Sequence, residues 1–165
     1  MFISSDTNIW IDFYKIKHLD HPFLLDFEYY ISSDTFQNEF IKSEPTQESL
    51  LSLGLRRTDI TNAEYEQALT FDKLYPRISI YDAFALSIAK QRGWTLLTGD
   101  APLRSAANQE AIEVHGIIWI YDQLAAQEKI TVDEYYDAID ALISAQESGI
   151  CRLPIKELLQ RKRPG

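Results

Sequence analysis

Four carboxylates, Asp6, Glu39, Asp82 and Asp100, each stand where a short apolar run meets the start of a helical pattern. Carboxylate oxygens are the hard donors that Mg2+ and Mn2+ prefer, and no dense His or Cys cluster in the sequence competes for a softer ion. Gathered round a divalent cation, such acids would support cleavage of a phosphodiester. Each also has a plainer explanation. Asp6 would N-cap the helix starting at Thr7, Asp82 would complete a capping box with Ser79, and Asp100 would make an Asx turn before Pro102. The two readings part on whether the elements carrying these acids bring them to one place.

Those elements alternate. Hydrophobic patterning predicts strands over residues 2–5, 29–32, 57–60, 95–98 and 112–115, and helices over 7–15, 34–41, 47–53, 63–74, 80–92 and 102–108. Gly93 stands at a C-cap position and Pro102 falls in a first turn. Such alternation predicts an α/β fold, a three-layer sandwich around a central parallel sheet. Ligands of these sheets gather outside the C-terminal ends of the strands. Asp6 follows the first strand and Asp100 the strand over 95–98, so both belong at that edge. Glu39 lies about a turn and a half into the helix after the second strand, and Asp82 in a first turn, where the helix dipole favours negative charge. Beyond Gly116 the pattern is purely helical, over 117–127, 132–146 and 155–161. The expected organisation is a body over residues 1–116 with a helical extension, 117–165, packed on it.

A chain of 165 residues is long enough for one domain with its own core. A single cysteine, Cys151, permits no internal disulfide, which fits a reducing cytoplasm. Met1 to Asp6 is too short and too quickly polar for a signal-peptide core, and no apolar stretch reaches the roughly 18 residues of a membrane span. The expectation is a soluble cytoplasmic protein with no membrane contact. A formal charge of −9 argues against non-specific coating of nucleic acid, but leaves room for a metal-bridged substrate, because bound cations invert the local field. The charge is uneven: an acidic helical stretch from Ile120 to Gly149 precedes a basic tail that starts at Arg152.

The segments Ser5-Asp6-Thr7-Asn8-Ile9-Trp10-Ile11-Asp12, Ser32-Ser33-Asp34-Thr35-Phe36-Gln37-Asn38-Glu39, Asp82-Ala83-Phe84-Ala85-Leu86-Ser87-Ile88-Ala89 and Leu97-Thr98-Gly99-Asp100-Ala101-Pro102-Leu103-Arg104 resemble, in order and setting, the successive motifs of PIN domains. Among these the VapC-like toxins of bacterial toxin-antitoxin modules are the most similar. The resemblance runs from Met1 to about Gly116 and marks that stretch as the catalytic domain. It implies a central parallel sheet with helices on both sides and an Mg2+- or Mn2+-dependent endoribonuclease, the toxin of a type II module. RNA would be the substrate, with an antitoxin protein and a second copy of the chain as partners. Asp6, Glu39, Asp82 and Asp100 would be the catalytic metal-site acids, Thr98 would help hold metal or water, and Asn8 would brace the loop carrying Asp6. Arg104 would place a guanidinium near a substrate phosphate or else form a surface salt bridge. Without metal, like-charged pairs at about 4 Å would cost on the order of 4 kcal/mol at an effective dielectric of 20, so at least one acid should keep a proton.

The alternative is a PIN-like protein- or RNA-binding module without turnover. A phosphatase or phosphoacceptor domain fits worse, since Asn8 stands where a haloacid-dehalogenase-like phosphatase would carry its second Asp. His18 and His21 have a metal-like spacing, but Lys17, Asp20 and Pro22 around them predict an exposed loop with ordinary surface histidines. Trp10, Trp94 and Trp119 are expected as core or interface anchors, and Asp12 as a solvated or bracing acid. Arg56-Arg57 and Arg161-Lys162-Arg163 would grip an RNA backbone or lie solvated. The apolar stripe Ile117, Ile118, Ile120, Tyr121 and Leu124, with Tyr135, Ile139, Leu142 and Ile143, would pack on the body or receive a partner helix.

Overall fold

In β1 (Phe2–Ser5) the neighbours Ile3 and Ser4 point to opposite faces, and both are buried. A strand covered on both faces needs helices on either side, the condition for an all-parallel sheet. The computed structural model, which describes residues 1–41 and 44–165, has that form. β1 lies between β2 (Glu28–Ser32) and β4 (Thr95–Leu97), β3 (Arg56–Thr58) extends beyond β2, and β5 (Val114–His115) beyond β4. Every pairing is parallel, in the order β3-β2-β1-β4-β5. The chain steps outward from β1 to β3 and then crosses back to β4. Winding therefore reverses between β1 and β4, which makes the C-terminal end of that pair the topological switch point.

The helices are α1 (Thr7–Lys15), α2 (Ser33–Glu39), α3 (Gln47–Leu53), α4 (Asn62–Leu74), α5 (Ile80–Arg92), α6 (Ala101–Gln109), α7 (Ile117–Ala126), α8 (Val132–Glu147) and α9 (Ile155–Gln160). On one face Ile3 and Leu97 meet Trp10 and Phe13 of α1, Tyr121 of α7, Ile139 of α8 and Leu158 of α9. On the other, Leu96 meets Phe71 of α4, Leu86 of α5 and Ala107 of α6, and Ser4 Oγ donates to Ala85 O at 2.8 Å. α4, α5 and α8 each start in a reciprocal capping box, and α5 stops at Gly93 in the left-handed region (φ 66°), which glycine adopts without strain.

All five predicted strands are present, with β3 ending at Thr58 and β5 shortened to two residues. The helix predicted over 34–41 stops at Glu39, and Lys42 and Ser43 beyond it lie outside the described residues. One turn was not anticipated, a 3-10 helix at His21–Leu24. Its Phe23 stacks on Trp10 at 5.2 Å between centroids, and His21 is buried, so the exposed loop expected here is instead part of the core wall. The apolar stripes of α7 and α8 are buried in the same cluster as Ile3, so they are not available to receive a partner helix. Nor are Arg161 and Arg163 of the basic tail free. Arg161 donates to both carboxylate oxygens of Asp122, while Arg163 pairs with Asp133 at 3.0 Å and lies over the Tyr136 ring. Among the described residues, no helix is long and apolar enough to cross a membrane.

Candidate functional site

Asp6 leaves the end of β1 at the switch point and is 3% exposed. Its backbone N–H donates to Leu97 O across to β4 at 3.3 Å. Its carboxylate is held twice: Oδ1 accepts from Ile9 N–H at 3.0 Å, and Oδ2 accepts from the hydroxyl of fully buried Thr98. Thr98 Oγ1 in turn accepts from Asp100 N–H at 3.0 Å. One hydroxyl thus stitches the loop after β1 to the loop after β4. Asp100 caps α6 through Leu103 N–H, and Asp82 exchanges bonds with Ser79 at the start of α5. Glu39, exposed at the end of α2, accepts from Thr7 Oγ1 at 2.7 Å, which ties it to the residue after Asp6.

The electrostatics couple three of these acids. Burial pushes the Asp6 carboxyl up to about 7, the charges of Asp82 and Asp100 add to that, and the bonds from Thr98 and Ile9 oppose it. Asp82 is also raised, by burial first and by Asp100 as well. A retained proton was expected from mutual repulsion; desolvation is the larger cause, with the neighbouring acids second. No cationic side chain is among the groups acting on Asp6, so its buried charge has no protein counter-ion among the described residues. Oxygen donors around an uncompensated carboxylate suit a hard divalent cation.

Capping and clustering coexist here. Asp6 and Asp100 are N-caps and Asp82 closes its capping box, yet a carboxylate has about four acceptor positions and these roles use only part of them. Asp100 acts as the N-cap of α6 in place of the expected Asx turn. Among the described residues, no three of the four acids offer ligand atoms that all lie within 4.8 Å of one another.

Asp100 lines a groove of about 720 Å3 together with Asn8, Asp12, Arg77, Arg104 and Arg152, among others. Arg104 makes no ion pair with any described carboxylate, so the salt-bridge reading of it does not hold. A Cβ at Gly116 would stand 3.1 Å from Arg104 Nη1 and 3.3 Å from Thr98 O, so glycine lets the guanidinium lie against the strand end. Asn8 is exposed and lines the groove, while the bonds holding the Asp6 carboxylate come from Thr98 and Ile9. Asp12 lines the groove beside Cys151, whose thiol burial first and the Asp12 carboxylate second push up to about 12. Arg77 and Arg152 were not anticipated as site residues, because they reach the groove from a helix junction and from the tail, with no motif around either. Arg56 pairs with Glu28 and Arg57 lies over Phe36, so neither is a free phosphate grip.

The structure is thus a doubly wound α/β fold with acids at its switch point. The DUF3368 family model, described as a PIN domain, matches residues 2–160, and the chain belongs to that family. The match continues through α9, past Gly116 where the motif resemblance stops. PIN domains are generally metal-dependent nucleases that act on RNA. No curated protein matches the chain.

Proposed function

We propose that this chain is an Mg2+- or Mn2+-dependent endoribonuclease, the cytoplasmic, VapC-like toxin of a type II toxin-antitoxin module. The observation that carries the catalytic reading is Asp6, a buried carboxylate without a protein counter-ion, coupled electrostatically to Asp82 and to Asp100, which itself lines a groove with three arginines. Asp6, Asp82 and Asp100 would hold the cation, with Glu39 reaching it from the Thr7 side. When bound, the ion would polarise the scissile phosphate and lower the pKa of water toward neutrality. The protein's own part is positional. Thr98 fixes Asp6 Oδ2 and the Asp100 loop together, and the Asp6 carboxyl, pushed up to about 7 by burial, would give up its proton to hold a cation. Arg77, Arg104 and Arg152 would neutralise successive RNA phosphates and set register without reading bases. The toxin role, with an antitoxin and a second copy as partners, rests on the motif resemblance.

A second reading, an RNA-binding module without turnover, draws on the capping bonds that already engage Asp6, Asp82 and Asp100. Incubation with a pool of structured RNAs plus Mg2+ or Mn2+ separates the two. Wild type should cleave, EDTA should abolish cleavage, and Asp6→Asn or Asp100→Asn should reduce it at least ~100-fold. Cleavage that survives both EDTA and Asp6→Asn refutes the mechanism, and RNA binding without cleavage by wild type favours the second reading.

A further inference from the structure

The loop after α1 brings together a different set of donors. His18, Asp20 and His21 each offer one ligand atom, and these atoms all lie within 4.8 Å of one another. Two donors each about 2.1 Å from one zinc ion are at most roughly 4 Å apart, so the set closes on an ion once the half-buried His18 ring turns out of its stack on His21 and brings its nitrogen into line. The backbone is fixed by tight turns: His18 N–H donates to Phe13 O at 3.0 Å, His21 N–H to His18 O at 3.1 Å, and Lys17 between them takes a left-handed φ of 65°. The two imidazoles lie parallel, 4.0 Å apart.

A second observation points to a ligand. His21 is more than nine-tenths buried, and its Nδ1 lies 2.9 Å from the hydroxyl of fully buried Tyr121. Among the described residues no hydrogen bond engages Nε2 and no buried side-chain nitrogen or oxygen lacks a partner, so the inner nitrogen orients the ring while Nε2 reaches solvent. That is how a metal-ligating histidine is commonly held, with one ring nitrogen anchored in the protein and the other on the ion. Asp20 and Glu134 add negative charge around His21. Because α1 runs back from the C-terminal end of β1 and β2 starts beside Phe2, this loop lies at the end of the sheet opposite the aspartates.

We propose that His18, Asp20 and His21 form a second cation site, for a borderline divalent ion such as Zn2+, that clamps the loop between α1 and β2 against α7. Its two nitrogens and one carboxylate oxygen suit zinc or cobalt, whereas the all-oxygen site at the switch point suits magnesium or manganese. The two sites would therefore discriminate by donor softness.

The test uses the whole chain, stripped with EDTA and desalted. Cobalt should give the visible absorption of a nitrogen-ligated ion at one equivalent, and zinc should raise Tm. His18→Ala should remove the cobalt band and weaken zinc binding at least ~10-fold, while the Tm response to Mn2+ stays. Asp20→Asn, at an exposed position and harmless to folding, should also weaken zinc binding. Tyr121→Phe should weaken it about 10- to 100-fold. Asp6→Asn should leave the cobalt band intact. A wild type without the band, a band that persists in His18→Ala, or one that vanishes in Asp6→Asn overturns the proposal.

Discussion

Asp6 keeps its proton up to about pH 7 in the folded chain, against an ordinary value of 3.8, chiefly because burial strips water from its charge. The native state therefore binds the extra proton across that window. The resulting stabilisation is complete below about pH 3.8 and is lost as pH rises through 7, a change on the order of 4 kcal/mol. In EDTA, the stability of wild type relative to Asp6→Asn should thus fall between pH 4 and pH 8, and millimolar Mn2+ at pH 7.5 should restore it. A difference that stays flat with pH would contradict the uncompensated carboxylate. Thr98→Val removes a donor to Asp6 and an acceptor for Asp100 N–H together, with an expected cost of about 1–3 kcal/mol in urea melts. It should also move the acid limb of the rate–pH profile upward, since the Thr98 bond is what lowers the Asp6 pKa. That Asp6 and Asp100 stand at one edge of the sheet was legible because a strand end followed by an acid has a local signature. The burial that dominates the Asp6 shift comes from neighbours distant in sequence and has none.

Among the elements, α5 links the site to the fold. Its first turn holds Asp82 in the Ser79 capping box, so Ser79→Ala should cost about 1 kcal/mol and loosen that acid. Its last turn supplies Arg92, whose guanidinium donates to Glu64 Oε2 at 2.7 Å, Glu64 Oε1 at 2.9 Å and Thr58 Oγ1 at 2.8 Å. Glu64 is 2% exposed and also caps α4. Arg92→Met should therefore cost roughly 3 kcal/mol by stranding a buried carboxylate. Arg163→Ala, at an exposed pair, should stay within about 1 kcal/mol. Equal effects of the two in denaturant melts would sink this ranking. Capping boxes are readable because they are local, three residues apart. The Arg92 hub joins residues 28 and 34 positions away, and helix periodicity shows it only as a last-turn cation.

For the molecule as a whole, net charge and local charge diverge: a chain of −9 presents three arginines along the groove that Asp100 lines. RNA binding by Asp6→Asn in Mg2+ should weaken with salt at a log–log slope near −2, about −0.7 for each arginine, and Arg104→Ala should flatten it by roughly 0.7. A slope unchanged by Arg104→Ala would remove that residue from the interface. The helices after Gly116 are a further whole-molecule matter. Tyr121, Leu124, Ile139, Leu142 and Leu158 are fully buried with Ile3 and Trp10, and each such side chain contributes about 1.5–3 kcal/mol by burial. A fragment of residues 1–116 should therefore fail to fold cooperatively by circular dichroism, since the loss rivals the roughly 5–15 kcal/mol of a domain's net stability. By itself the sequence determined the alternation of elements, the helix caps and the order of the four acids, because periodicity, capping and turn chemistry act over a few residues. Only the tertiary structure decided that burial governs Asp6, that Arg77 and Arg152 join Asp100 in one groove while Arg161 and Arg163 pair with Asp122 and Asp133, and that His21 is buried. Each of those depends on contacts between residues far apart in the chain, where desolvation and charge pairing are set by packing.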